Sequence, residues 1–530
     1  VSALRRAPAW TLTAAAAVVY LIVAPPSPDL AAASYRSHLF SQVGFSLWDN
    51  SWYAGHHLPA YSIIAPALGS LIGPQPLAAI SMCIATALFA LVIAGRFNPR
   101  AERIAAFWFA IGASVALLSS RVPFDLGLAA GLGALLLAQR GRFAWALATA
   151  VLTSLASPVA GAFLATAMLA WALAASPRLR PAILCLAALA PIALLSIAFP
   201  EGGTQPFVAS AFYPALAGVL MLAVVIGPEQ RALRIGAVLY ALVLIGSYLV
   251  PSAVGGNADR LGALAAGPVA ACVLAVGALS GWRPRLLIVL APLLLYWQAN
   301  APVADFTAAS SDPAVHASYF KPLLSELQTL GIGYGVRPAR IEIVATADHW
   351  EARWVAPHVM IARGWERQLD QGRNHLFYGS SPLTAASYRH WLDEQAVSYV
   401  ALSDAPLDYS AKAEAALVAN PSAGAGAYLR EVWRSPHWRL FAVASPAPLV
   451  AAPALMTAAS SESFTLAVPA AGSYLTRLRF TPYWDVSGAG GCVAEAPGGW
   501  TQVQATRAGF VHVVIRFSLA RVLDHGRRCG

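Results

Sequence analysis

Between residues 9 and 299 the chain is a succession of long apolar runs, most of them ending at a short arginine cluster. No other feature constrains the fold so tightly. A helix needs roughly 20 apolar residues to cross the hydrocarbon of a bilayer, and cytoplasmic loops collect Lys and Arg. Candidate spans lie near 9–25, 75–95, 102–119, 123–139, 142–157, 158–175, 181–199, 209–227, 232–250, 261–280 and 285–299. Arg5/Arg6, Arg96/Arg100/Arg103, Arg140/Arg142, Arg178/Arg180, Arg231/Arg234 and Arg283/Arg285 then share one side, with Arg36, Arg121 and Arg260 opposite. The same parity makes residues 142–175 a tight hairpin at Ser157-Pro158. It also makes 59–74, interrupted by Pro59, Pro66, Gly69, Gly73 and Pro74, an interfacial helix rather than a span. The expectation is a mainly α membrane protein with about 11 transmembrane helices and a cytoplasmic N-terminus.

Residues 301–530 have ordinary soluble composition, which whole-chain totals hide: 58% hydrophobic, 11% charged, mean hydropathy +0.60. A soluble chain carries roughly a quarter charged residues, so lipid must solvate most of this one. The formal net charge of +10 does not point to nucleic acid. Much of the Arg excess borders apolar runs, and no basic stripe with interleaved aromatics occurs. The first run follows Arg5 and Arg6 like a signal-peptide start, but "APPSPDL" after it fits a retained span better than a cleavage site.

The expected organisation is a polytopic domain over 1–300 with a long first external loop (26–74), an extracytoplasmic α/β domain over 301–446 and a small β-sandwich over 455–530. The loop is expected to hold two interfacial helices, around 30–46 and 60–72. In the α/β part, "RIEIVAT" (340–346) and "SYVALSD" (398–404) read as strands, "TAASYRHWLDEQA" (384–396) as an amphipathic helix, and "LREVWRSPHWRLFAV" as a hairpin turning at Ser435-Pro436. The Pro/Ala-rich "ASPAPLVAAPA" (444–454) reads as a linker, and "SFTLAV", "SYLTRLRF", "TQVQATRAG" and "VHVVIRFSL" as sandwich strands. Cys83, Cys185 and Cys272 lie in apolar runs as packing residues, whereas Cys492 and Cys529 are a candidate disulfide if that part is outside the cytoplasm. No P-loop, dinucleotide fingerprint or zinc spacing is present.

The chemistry is expected on the outer face, where Asp29, Arg36, His38, Asp49, His56, His57, Arg121, Asp125, Asn257, Asp259 and Arg260 gather. Singly, each reads as a helix cap or headgroup anchor, and Trp48, Trp52 and Tyr53 read as an aromatic belt. Together, "LWDNSWYAGHH" concentrates too many such groups for a plain connector. An Asp carboxylate suits a general base where water is excluded, and Arg matches phosphate oxygens. Asp49 is therefore the first candidate for chemistry, with Arg121 and Arg260 as the cations at outer span ends and Asp29, His56, His57, Asp125 and Asp259 as further candidates. In the soluble part, Trp350, Glu351, Trp365 and Glu366 are candidates for acceptor binding, against the plainer reading of Trp as core.

The stretch "WDNSWYAGHHLPAYSIIAPALGSLIGPQPL" (48–77), with its acid, aromatics, Gly and Pro before the second span, resembles the first external loop of GT-C-type polytopic membrane glycosyltransferases. The topology of the whole chain resembles theirs too. The resemblance implies a GT-C-like fold, a polyprenyl-phosphate sugar donor in the membrane lipid and an envelope glycan acceptor. For such a transfer it implies Asp49 as the base, Arg121 and Arg260 as the donor-phosphate ligands, and Asp29, His56, His57, Asp125 and Asp259 as their support. Asp49 is followed by Asn50 where many members carry a second acid, and Asp29, near the end of the first span, is the more orthodox position. A divalent metal is compatible with the resemblance, but the sequence names no ligands and no other cofactor. Two alternatives stand beside this reading: a non-catalytic scaffold or glycan-binding membrane protein of the same architecture, and a transporter or lipid flippase. The "GGNADRLG" segment and the "DHWEARWVAP…ARGWERQLD" run also resemble a group of bacterial membrane proteins.

Overall fold

The computed structural model of the chain describes residues 8–276, 281–335, 337–379, 381–420, 424–522 and 529. Arg5 and Arg6 lie outside the described residues, as does the rest of the "HGRRCG" tail around Cys529. The chain divides into two compact units: the first takes 1–41, 61–196 and 202–310, the second 42–60, 197–201 and 311–530.

The first unit is mostly helical. Its helices are α1 (Trp10–Val23), α2 (Pro28–Val43), α3 (Ile64–Ile72), α4 (Pro74–Ile93), α5 (Pro99–Ala116), α6 (Val122–Gln139), α7 (Phe143–Ala156), α8 (Pro158–Ala174), α9 (Leu179–Ala198), α10 (Ala209–Val225), α11 (Arg231–Leu249), α12 (Asp259–Leu274) and α13 (Trp282–Ser310). Among the described residues six stretches are long and apolar enough to cross a membrane: Pro74–Ile93, Pro99–Ser119, Val122–Gln139, Leu179–Ala198, Pro228–Leu249 and Trp282–Ser310. This is a multi-pass membrane protein by the length and composition of its helices. α7, α8 and α10 are shorter apolar helices, and α1 and α2 meet at a bend of 76°. Proline and a polar cap set several starts, because the first turn of a helix leaves its N–H groups without partners. Asn98 accepts from Arg100 N ahead of α5, and Ser157 accepts from Ala160 N where α7 turns into α8.

Small residues bring these helices close. A Cβ at Gly112 would overlap Gln298, and one at Gly267 would overlap the Trp108 ring. At that contact Trp108 Nε1 donates to Gln298 Oε1 at 3.1 Å, satisfying a buried donor in an apolar surround.

The second unit contains three sheets and a short hairpin. The hairpin pairs β1 (Trp48–Asp49) with β2 (His56–His57). A five-stranded sheet has the order β4-β3-β5-β7-β6, from β3 (Arg340–Ile343), β4 (Met360–Ile361), β5 (Val397–Ser403), β6 (Leu429–Arg434) and β7 (Trp438–Val443). β4, β3 and β5 run parallel; β7 and β6 are antiparallel additions. The helices beside this sheet are α14 (Ala317–Thr329), α15 (Glu351–Trp354), α16 (Arg367–Arg373), α17 (Ala385–Glu394) and α18 (Lys412–Ala419). The helix expected over 384–396 is α17, started by a reciprocal Thr384/Ser387 capping box.

The C-terminal part has two antiparallel sheets. One is β10-β13-β12 and the other β11-β14-β9-β8, from β8 (Leu455–Ala459), β9 (Ser463–Val468), β10 (Gly472–Arg479), β11 (Trp484–Gly488), β12 (Gly490–Ala496), β13 (Trp500–Ala505) and β14 (Gly509–Ile515). Leu478, Val493 and Val503 from the first sheet share one core with Phe464, Trp484, Val511 and Val513 from the second. The stretch 444–454 is not a free linker. Leu449, Val450 and Ala454 are buried in that core, and Ala451 N donates to Leu475 O, because the apolar side chains there have a sheet to bury against.

Candidate functional site

Within the first unit a cluster of charged side chains gathers where several helices begin or end. Asp29 lies in the first turn of α2, and Arg121 immediately precedes α6. Arg121 Nε donates to Asp29 Oδ2 at 3.1 Å, and its second amino nitrogen, Nη2, lies 3.6 Å from Asp305 Oδ2 on α13. Ser119 Oγ donates to the same Asp305 oxygen at 2.6 Å, while Ser27 Oγ donates to Ser119 O at 2.9 Å. The three charged side chains are 26–30% exposed, so the cluster is half open rather than sealed. Asp125, one turn into α6, is buried within electrostatic reach of Arg121, Arg260 and Asp29, and its Oδ2 finds no hydrogen-bond partner among the described residues.

Other predicted residues of this unit have structural partners. The Asp259 carboxylate accepts from Trp297 Nε1 at 3.0 and 3.1 Å. The Arg260 guanidinium lies 5.6 Å from the Phe124 ring, and Arg36 lies 4.0 Å over Tyr61. Asp305 and Ser119 were missed by the sequence reading. The signal for Asp305 was an acid near the end of a largely apolar run, in "ANAPVADF".

The loop that raised the expectation of catalysis folds in the second unit. Trp48, Trp52 and Tyr53 are buried in it, so they are not an aromatic belt at headgroup level. Asp49 is 0% exposed and its Oδ1 accepts from Ser51 N at 2.9 Å, the geometry of an Asx turn. Asn50 N donates to Ser461 O, Ile361 N to Ser51 O and Arg479 N to Ala54 O, so the segment is stitched to both the α/β part and the sandwich. Tyr53 OH accepts from Glu366 N at 3.0 Å. His56 stacks on Trp52 with ring centres 5.5 Å apart. His57 Nδ1 lies 2.9 Å from Glu201 Oε1, and its Nε2 is 3.0 Å from Thr481 Oγ1.

Glu201 closes a knot that sequence reasoning did not find. Its Oε2 takes Arg373 Nη2 at 3.0 Å, and Arg373 Nη1 also donates to the carbonyls of Tyr53 and Gly55. Burial pushes the Glu201 carboxyl up, but Arg373 and then His57 outweigh it and leave it below the ordinary range.

The expected acceptor residues are also engaged. Trp350 is buried and stacks on Trp354, with ring centres 5.7 Å apart. Glu351 binds Thr346 Oγ1 at 2.6 Å and His349 Nδ1 at 3.2 Å; Trp365 stacks on His349 with centres 3.8 Å apart. Glu366 contributes its backbone to Tyr53. Cys492 and Cys529 form a disulfide with a Cα–Cα distance of 5.3 Å.

Among the described residues no group of three or more His, Cys, Asp or Glu is placed to hold an ion. The carboxylates of Asp29 and Asp305 face the Arg121 guanidinium instead.

Fold and site together define a polytopic helical membrane protein with a β-rich C-terminal part and a carboxylate–guanidinium cluster at its helix ends. Among solved structures the chain is similar to the archaeal oligosaccharyltransferase AglB from Archaeoglobus fulgidus in complex with an inhibitory peptide and a dolichol-phosphate: TM-score 0.45, 12% identity, 74% of this chain and 69% of that one. It is also similar to the Archaeoglobus fulgidus oligosaccharyltransferase in the apo form (TM-score 0.47, 13% identity, 74% and 69%). A third likeness is to that enzyme tethered by a disulfide to an acceptor peptide containing the NVT sequon (0.45, 14%, 74% and 68%). No family model and no curated protein sequence matches the chain. Similarity this loose carries no residue across, so function has to be argued from the side chains themselves.

Proposed function

We propose that the chain is a membrane glycosyltransferase, moving a sugar from a polyprenyl-phosphate donor to an envelope glycan acceptor at the outer face. In this reading about eleven helices cross the bilayer, the N-terminus is cytoplasmic and the second unit is extracytoplasmic. The observation that carries the proposal is the half-open Asp29–Arg121–Asp305 cluster. Arg121 follows a helix whose other end bears Arg100 and Arg103; 18 residues of α5 span about 27 Å. The cluster thus belongs at the membrane face opposite the basic loops, where a lipid phosphate would reside.

Transfer requires the acceptor oxygen to bond to the anomeric carbon while the bond from that carbon to the phosphate oxygen breaks. The hydroxyl proton passes to a base, and the leaving phosphate keeps the electron pair. We assign the base to Asp29. Asp49, enclosed and committed to a turn, has no opening to an acceptor. Arg121 supplies the fork for the phosphate, with Arg260 behind it. A phosphate arriving at Arg121 draws the guanidinium from Asp29, which leaves that carboxylate free to accept the proton. No step runs through a metal.

The scaffold alternative draws support from Asp49, because the loop with the sharpest family likeness is a packed structural element. Asp29→Asn keeps the shape and removes the base, so transfer from a polyprenyl-phosphate sugar in membranes should fall by roughly 10²–10⁴-fold at matched expression. Arg260→Lys should raise the donor KM more than it lowers kcat. Wild-type transfer by Asp29→Asn would hand the case to the scaffold.

A further inference from the structure

A guanidinium paired with one carboxylate usually closes to a fork, two parallel N–H···O bonds to its two oxygens. Arg121 does not. It meets Asp29 through Nε and Oδ2 alone, at 3.1 Å, while Nη2 is turned toward Asp305 Oδ2 at 3.6 Å. Asp305 is itself fixed, because Ser119 Oγ donates to that oxygen at 2.6 Å. The carbonyl of Ser119 is in turn held by Ser27 Oγ, two residues before Asp29. The start of α2, the turn before α6 and the last turns of α13 therefore meet around one cation.

We propose that Asp305 is a positioning residue for Arg121, holding the guanidinium short of a full fork on Asp29 so that the Asp29 carboxylate stays available to take a proton. This rests on the reading of Asp29 as base. Asp305 touches neither substrate nor reacting atom; it acts through Arg121.

The test is Asp305→Asn in the full-length protein in detergent, with Asp305→Glu as the conservative control. Asn keeps an acceptor for Ser119 but loses the charge that draws Nη2. Arg121 should then close on Asp29, and kcat should fall by about 10²-fold, the scale of a misplaced catalytic group. The donor KM should stay level or drop, because one fewer carboxylate competes for the guanidinium. Asp305→Glu should recover most of the rate. Unchanged kcat, or a donor KM that rises in step with the loss, overturns the proposal. A structure of Asp305→Asn separates it from the function it rests on. Nη2 moved within hydrogen-bond reach of Asp29 supports the positioning role even if wild-type protein transfers no sugar. A guanidinium that stays where it is refutes it.

Discussion

His349 sits between two carboxylates, with Nδ1 3.2 Å from Glu351 and Nε2 3.3 Å from Asp408. Burial favours the neutral ring, but the bonds to Asp408 and Glu351 outweigh it and raise the pKa above the usual value. Glu342, on the central parallel strand β3, is 0% exposed, and neither carboxylate oxygen has a hydrogen-bond partner among the described residues. Burial, then the neighbouring Glu414, drive its carboxyl well above the ordinary range; Arg363 opposes them, and Asp370 and Glu351 add to the rise. Burial also lifts Glu414 to about 7 against the pull of Arg363. A folded pKa above the unfolded one gives stability that is complete below the unfolded value and lost as pH rises through the folded value. For Glu342 and Glu414 the loss begins above about 4.3, and for His349 above about 6.5. Asp408 and Asp370 act oppositely: their cationic partners outweigh burial and lower the pKa, so their contribution fades as pH falls below about 3.9. The second unit should be most stable in mildly acid solution and weaken steadily on the alkaline side. Glu342→Gln removes the charge that alkali would bury, so its melting temperature should fall less between neutral and alkaline pH than that of wild type. Tryptophan fluorescence of the full chain in detergent can follow unfolding, with Trp365 stacked on His349 as a local reporter. Parallel curves for the two proteins would refute the assignment.

At the scale of elements, the hairpin of β1 and β2 turns through Tyr53, Ala54 and Gly55, all in left-handed backbone at φ 58, 63 and 122°. Two of these are not glycine, and the strain is borne because all three residues are enclosed. Gly55 has no such latitude, since a Cβ there would stand 2.3 Å from the Trp48 ring. Gly55→Ala should therefore displace Trp48 from the sandwich core and cost about 2–4 kcal/mol, the range of overpacking added to backbone strain. A melting temperature within experimental error of wild type would count against that account. The Cys492–Cys529 bridge closes over a sequence separation of 37, and Cys492→Ser should cost roughly 2–4 kcal/mol in the same assay. Mass spectrometry of non-reduced peptides checks the pairing directly. Elements set by local pattern were legible: the apolar runs, the Ser157-Pro158 turn, and α17 with the strand after it. β8, β11 and β12 were not: the five residues of β8 show no apolar–polar alternation, and glycines weaken the period-two signal in β11 and β12. Nor could local pattern reveal that residues 42–60 fold with residues 311–530. The bonds that hold them there, such as Asn50 to Ser461, link positions some four hundred apart. Asp49 looked catalytic for the same reason: a loop dense in Asp, His and Trp reads alike whether it lines a site or fills a core.

At the scale of the molecule, the chain leaves its helical unit twice, at 42–60 and 197–201, before departing for good at 311. Both excursions supply buried residues to the second unit, and Glu201, His57 and Arg373 tie three distant segments there. That connectivity places a demand on topology. α2 leads into the first excursion, α9 into the second and α13 into the last, so all three must deliver the chain to the same side of the membrane. In the proposed topology that side is the one opposite the basic loops. Cysteine labelling with an impermeant reagent in intact cells tests both claims at once, on a background with Cys83, Cys185 and Cys272 replaced by Ala. Asn98 is a poor probe for the basic side, because its side chain caps α5. Ser176, exposed beside Arg178, serves instead, and Gly202 and Ser311 report two of the places where the chain passes between units. Ser311→Cys and Gly202→Cys should label in intact cells, and Ser176→Cys only after the membrane is opened. If Gly202→Cys and Ser311→Cys differ, the shared side fails, and with it the assembly of the second unit from both excursions. If the two agree but Ser176→Cys labels with them, α9, the helix between Ser176 and Gly202, does not cross. If all three report the reverse pattern, the arginine clusters face outward, and a polyprenyl-phosphate donor would have to be met at the cytoplasmic leaflet.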